Sequence, residues 1–354
     1  MPVPLKLPPL KDRTDVLADW IELRTLADVH GFFQLAKLKR YWDTQRNSED
    51  TDIEGRHSEE ENTDEEGVSG YDEDKFLDAI TDELGERAKK LALSYPFEFS
   101  NDGLRFEVKQ DISVGGWTYL LCLLFDHHKA GDIWTGTWIP NITNNERDLF
   151  QACSTLAAAS KVQGCAISFG WPRPNQNPPF LQKLKQVYGH FGEGRPRQTP
   201  LPGASPMVKD EEIDIIAWQP RPDGAAGTIY ILGQVASGEN WRGKSILGGP
   251  IRYFHETWFE IIPQSEPLAA IFIPHAVPPM GEGTRNDRIE RLTAGFGMIF
   301  DRMILPRMTQ DGLALALDTS NDFHIERADD SPKIQAWVDG QIDSLRTLSN
   351  SLPL

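Results

Sequence analysis

Ile213-Asp214-Ile215-Ile216-Ala217-Trp218, then, after the turn-forming QPRPDGAAG, Thr228-Ile229-Tyr230-Ile231-Leu232-Gly233-Gln234-Val235-Ala236-Ser237-Gly238 is the stretch on which the fold turns. Two strongly apolar runs separated by a Pro/Gly-rich turn are two strands of a hairpin. Each breaks its own pattern once. Asp214 stands near the start of the first strand and Gln234 near the end of the second. Charged groups are scarce on buried strands because an unpaired polar group costs free energy there. Asp214 can cap a turn or pair with Lys209, and Gln234 can be a satisfied core amide. The alternative is that both face a site at the strand ends.

Outward from this hairpin the pattern is mixed. Pro179–Tyr188 is read as a short helix and Ile251–Ile262 as another, opened by Gly249-Pro250. Leu268–His275 (LAAIFIPH) is a third apolar strand, Arg285–Met303 is mainly helical, and Lys333–Leu348 is a terminal helix. The order helix, strand, strand, helix, strand predicts an α/β or α+β layer arrangement. Upstream, residues 14–43 have helical periodicity, Asp74–Ser94 is a second helix, and Glu146–Lys161 a third. Phe97–Lys109 reads as a hairpin turning on Asn101-Asp102-Gly103. The expected organisation is a helical segment over 1–46, an acidic loop over 47–73, a helical and hairpin region over 74–144, and an α/β core with C-terminal helices over 145–354.

The bulk numbers exclude several classes. The most apolar run, Trp117–Phe125, is too short to span a bilayer and ends in Asp126-His127-His128-Lys129, so a buried helix is expected and no membrane association. Its two histidines read as a complement to the helix C-terminal dipole, not as ligands. The N-terminus has no apolar leader, and Cys122, Cys153 and Cys165 are odd in number with no CxxC pair. A cytoplasmic location fits, without disulfides or zinc. The net charge of −17 is mostly local: Asn47–Asp74 holds 13 acids against Arg56 alone, leaving −5 for the rest. The body is therefore not closed to nucleic acid. The acidic stretch is either a solvated insertion or a cover over a basic cleft.

The Asp on one strand and the polar residue closing the next resemble the PD-(D/E)XK nuclease superfamily, in a divergent form with Gln at the second acidic position. The resemblance covers residues 145–275 and implies a restriction-endonuclease-like mixed sheet flanked by helices. It implies Mg²⁺ or Mn²⁺ as cofactor, held by Asp214 and Gln234, with Glu146 or Glu193 completing the set. It departs from the pattern at position 236, where the lysine is replaced by Ala236; Lys244 is the substitute to orient water or steady the leaving phosphate. The segment GQVASGENW is similar to uncharacterised bacterial proteins of phage-defence neighbourhoods. The implied activity is hydrolysis of phosphodiester bonds in DNA, or less readily RNA, in a prokaryotic antiviral system. The alternative is a catalytically degenerate nuclease-fold subunit that binds a partner protein. Arg195, Arg197, Arg242 and Arg252 are candidate phosphate contacts, with Trp241 as a base-stacking ring. A literal Glu-x-Lys, Glu107-Val108-Lys109, ranks below Asp214 and Gln234 because no strand-helix unit follows it. There is no phosphate-binding Gly-rich loop and no nucleophile elbow.

Overall fold

The computed structural model describes residues 4–6, 8, 13–38, 40–41, 70–129, 133–136, 138–173, 178–203, 208–281 and 283–350. Most of the acidic stretch, 47–69, lies outside them. The fold is mixed α/β. Contacts divide the chain into two units, the first made of residues 1–111, 127–140 and 340–354, the second of 112–126 and 141–339.

In the first unit, helix α1 (Thr14–Ala27) ends at Asp28, and Phe32–Gln34 form strand β1, where continued helix is expected from the sequence. Helix α2 spans Gly70–Leu91. Strands β2 (Phe97–Phe99) and β3 (Arg105–Val108) form the expected hairpin, and β1 adds to it in the antiparallel order β1-β3-β2. Phe33, Phe97 and Phe106 are buried. Arg87, buried on α2, donates to Asp19 at 2.5 Å and to Glu22 at 2.9 Å, and Tyr95 Oη donates to Glu22 at 2.6 Å. His127 is not merely a dipole complement: its Nε2 lies 2.7 Å from Asp19 Oδ2.

The second unit is built on helices α3 (Val114–Asp126) and α4 (Asn144–Val162) and a five-stranded sheet. Its strands are β4 (Cys165–Ser168), β6 (Ile215–Trp218), β7 (Tyr230–Val235), β9 (Pro267–Phe272) and β10 (Met298–Phe300), in the order β10-β9-β7-β6-β4. Neighbours β4/β6 and β6/β7 are antiparallel; β7/β9 and β9/β10 are parallel. Helices α5 (Phe180–Phe191) and α6 (Gly249–Trp258) cover one face, burying Phe180, Leu184, Phe254 and Trp258 against Ile216, Trp218, Tyr230 and Leu232. Period-2 alternation turns Ile215 and Ala217 to the other face, where α4 packs. Arg195–Pro196 (β5) and Phe259–Ile261 (β8) pair as a separate ribbon, so the helix expected to reach Ile262 stops at Trp258. Helices α7 (Arg285–Phe296), α8 (Leu305–Leu317) and α9 (Ser331–Asn350) complete the chain, the unit boundary falling within α9.

Two strands of this sheet depart from the sequence expectation. Residues 298–300 were expected to continue a helix, yet α7 ends at Phe296 and Gly297 takes φ +73°. A Cβ on Gly297 would meet the Ala269 carbonyl oxygen at 2.2 Å, so the chain enters β10 through a position only glycine fills. β4 carries no strand signal beyond four small or apolar residues after the left-handed Gln163; its pairing with Trp218–Ile215 makes it a strand.

Candidate active site at the sheet end

Asp214 and Gln234 are cross-strand neighbours. The ladder pairs Ile215 with Gly233, and Asp214 N donates to the Gly233 carbonyl at 2.8 Å, which sets the next pair side by side at the sheet end. Gln234 Nε2 donates to Asp214 Oδ2 at 2.6 Å, and Val235 N donates to the same oxygen at 2.7 Å. Among the described residues, Oδ1 accepts no hydrogen bond. Both side chains are 8% exposed.

Two further elements close around the carboxylate. The chain leaving β4 is held by Asp214, whose carbonyl accepts from Phe169 N at 2.7 Å and Gly170 N at 2.9 Å. A Cβ on Gly170 would lie 2.4 Å from Asp214 Oδ1 and 2.8 Å from both amide atoms of Gln151, so only glycine leaves room there. Gln151, buried on α4, donates to Ser168 Oγ at 2.8 Å. Ser168 N in turn donates to Glu326 at 3.0 Å, and Glu326 pairs with Lys183 at 2.5 Å. One turn before Gln151, Arg147 donates to Ser237 Oγ at 3.0 Å.

The electrostatics single Asp214 out. Burial pushes its carboxyl up to about 7, and the negative charges of Asp210 and Glu212 add to this, while the Val235 N–H and Lys244 act the other way. Lys244 is exposed and caps the turn Glu239–Gly243. Ala236, at the position where the superfamily pattern has lysine, is fully buried. Among the described residues, Asp214 belongs to no group of three His, Cys, Asp or Glu side chains with ligand atoms within 4.8 Å of one another.

Glu193 and Glu146 are occupied elsewhere. Glu193 accepts from the backbone and side chain of Thr228 and Ser265 and from Gly227 N. Thr228 stands at the opposite end of β7 from Gln234, six residues or about 20 Å away. Glu146 closes a capping box with Thr143 at the start of α4. Trp241 is a core residue, 3% exposed and packed on Phe296 with Arg242 over its ring, which leaves no open face for a base. Arg195 pairs with Glu260 at 3.0 Å, Arg252 lies 4.0 Å from Glu256, and Arg197 donates to the carbonyls of Thr257 and Glu256. Glu107 and Lys109 stand at the small sheet of the first unit, Lys109 donating to the Tyr95 carbonyl.

Gln151, Ser168, Gly170 and Arg147 escape the sequence reading. A readable signal existed for Gln151, a long amide facing inward between Phe150 and a run of Ala, Cys, Ser and Thr. No helix among the described residues is long and apolar enough to cross a membrane. No protein-family profile, curated protein or solved structure matches the chain.

Proposed function

We propose that the second unit is a divergent PD-(D/E)XK-type scaffold that hydrolyses phosphodiester bonds, with Asp214, Gln234 and Lys244 as its working residues. One observation carries the reading. A buried carboxylate has one oxygen fixed by the cross-strand Gln234 and Val235 N–H and the other, among the described residues, without a donor, at a sheet end. The chain order α4, β4, α5, β5, β6, β7, α6, β8, β9 is compatible with it, with the sheet neighbours β4-β6-β7-β9 running antiparallel, antiparallel, parallel.

The donor set suits one hard cation. Asp214 supplies a carboxylate whose ionised form burial opposes and Lys244 offsets only in part, and Gln234 and Gln151 would supply neutral amide oxygens. Mg²⁺ or Mn²⁺ bound there contributes positive charge against a phosphate and acidifies water. Asp214 would hold the ion, the Gln234 amide fixes the carboxylate in one rotamer, and Lys244 would meet the phosphate from the exposed side. DNA is the expected substrate, RNA the second, and a protein partner or activator is compatible with both. The setting in antiviral defence rests on the resemblance of GQVASGENW alone.

A second reading is favoured by a specific observation. Among the described residues Asp214 joins no group of three His, Cys, Asp or Glu side chains placed as ligands, and Ala236 replaces the lysine, as in a degenerate site kept for binding a partner protein. The deciding experiment incubates purified protein with plasmid, linear duplex, single-stranded DNA and RNA in Mg²⁺ or Mn²⁺, beside Asp214→Asn and Lys244→Ala. Cleavage lost in Asp214→Asn and reduced at least about tenfold in Lys244→Ala is expected. Equal cleavage by Asp214→Asn sinks the assignment. No cleavage by any form, together with no rise in melting temperature on adding Mn²⁺, leaves the degenerate scaffold.

A further inference from the structure

We infer that Trp171 is a stacking platform for an unpaired base, and that the substrate of the Asp214 site is single-stranded nucleic acid. This rests on the nuclease reading for the site and adds the substrate's form. Trp171 is 43% exposed, a large amount for an indole, and directly follows Gly170. Gly170 is the residue against which Asp214 Oδ1 lies. Consecutive Cα atoms are about 3.8 Å apart, so the backbone of Trp171 stands one residue from the position that packs on the Asp214 carboxylate.

The ring is held ready. The buried Arg173 guanidinium sits 5.5 Å from the Trp171 centroid and also contacts the rings of Phe169 and Phe180. Trp171 N lies 3.4 Å from Asp210 Oδ2. The charges then sort the two flanks. β6 lies between β4 and β7, so Gly170-Trp171 flank Asp214 on the β4 side while Arg147 and Ser237 flank it on the β7 side. On the β4 side Asp210 is close by, which repels phosphate and tolerates an uncharged base. On the β7 side the exposed Arg147 suits phosphate. A strand crossing the sheet end from Arg147 to Trp171 meets cation, then acid with its ion, then aromatic face. In duplex DNA the base edge is paired and its faces are stacked, so this ring has nothing to receive. Trp241, the ring expected from sequence to do this, is buried.

The test is fluorescence anisotropy of short labelled oligonucleotides in EDTA, so that cleavage plays no part. Single-stranded DNA, single-stranded RNA and duplex of the same sequence are compared on wild type, Trp171→Phe, Trp171→Ala and Arg147→Ala. Stacking on one base corresponds to about 5- to 150-fold in affinity. Trp171→Ala is expected to lose that factor on single strands and under about twofold on duplex, with Trp171→Phe recovering most of it. An abasic site walked along the strand is expected to weaken wild type at one position and Trp171→Ala at none. Arg147→Ala is expected to lower the salt dependence of binding, and Trp171→Ala to leave it unchanged. Equal affinity of wild type and Trp171→Ala for single strands, or a flat abasic scan, overturns the inference. Trp171-dependent binding without any cleavage in Mg²⁺ keeps the stacking platform, removes the substrate of the Asp214 site and sinks the nuclease reading. Cleavage of duplex with Trp171-independent affinity does the reverse.

Discussion

Each end of strand β7 has a buried carboxylate beside it, and the two are held in opposite ways. At the Thr228 end, Glu193 receives three backbone N–H groups and two hydroxyls. Burial works against its charge, but the donors led by Ser265 outweigh it and hold the carboxyl below its ordinary range. At the Gln234 end, Asp214 receives two donors on one oxygen, and burial wins, lifting it to about 7. The same sheet, with acids of similar exposure, gives one settled ion and one strained ion. A settled acid ties a loop. A strained acid near neutral pH is what a site for a cation or a proton needs. Arg87 with Asp19 and Glu22 in the first unit makes the same point by another route, since there a guanidinium supplies the compensation.

The comparison breaks most sharply at Glu193. Glu193→Ala strands the N–H groups of Gly227, Thr228 and Ser265 and is expected to cost about 3 kcal/mol, read by urea denaturation. Glu193→Gln keeps an acceptor and is expected to cost about half as much. The folded carboxyl sits below its unfolded value, so its contribution is present above about pH 4.5 and fades as pH falls through the lower folded value. An advantage of wild type over Glu193→Gln that persists undiminished at pH 3 contradicts this.

Asp214→Asn is expected to act with the opposite sign. The rise from 3.8 to about 7 sets a ceiling of about 4 kcal/mol on the cost of ionising Asp214 in the fold. Between those values the folded protein holds a proton the unfolded chain has released, so stability falls as pH rises through the window, and above about 7 the full penalty is present. The asparagine still accepts from Gln234 and Val235, so the variant is expected to be about 2 kcal/mol more stable than wild type at pH 8. The difference closes as pH falls toward 4. Mn²⁺ is expected to raise the melting temperature of wild type at pH 8 and leave the variant unmoved. A variant less stable than wild type at pH 8 makes Asp214 a tie like Glu193.

The pair Asp214 and Gln234 was legible because each interrupts an apolar strand whose partners and turn can be read locally. The shell around it was not. Gly170 and Gln151 become neighbours of Asp214 only through the β4/β6 pairing, and β4 is four residues with no periodicity to declare it. β10 was hidden for the same reason: three residues become a strand because β9 offers an edge and Gly297 turns the chain onto it. Trp241 misled because its neighbours in sequence are cations, while its neighbours in space are Ala236, Val277 and Phe296. Gly170→Ala sharpens the point. The new Cβ would press on Asp214 and Gln151 and is expected to cost about 1–3 kcal/mol in stability while abolishing the Mn²⁺ response. Loss of stability with an intact Mn²⁺ response separates Gly170 from the site.

The smallest expected effect concerns Glu146, which the resemblance offered as a possible metal ligand. Burial disfavours its charge, but the Thr143 hydroxyl and backbone N–H together outweigh that and hold the carboxyl below its ordinary range. It therefore belongs with Glu193 among the settled acids. Thr143→Ala removes the side-chain half of the capping box and is expected to cost about 1 kcal/mol of stability. Glu146→Gln keeps a cap-competent side chain and is expected to cost a few tenths of that. Neither is expected to move the Mn²⁺-dependent melting shift that Asp214→Asn abolishes. A shift lost in Glu146→Gln with its stability intact would make Glu146 a ligand that swings away from its cap when the ion binds. Two acids, not one, would then share the Gln234 end of the sheet, and the contrast between its ends would be one of occupancy.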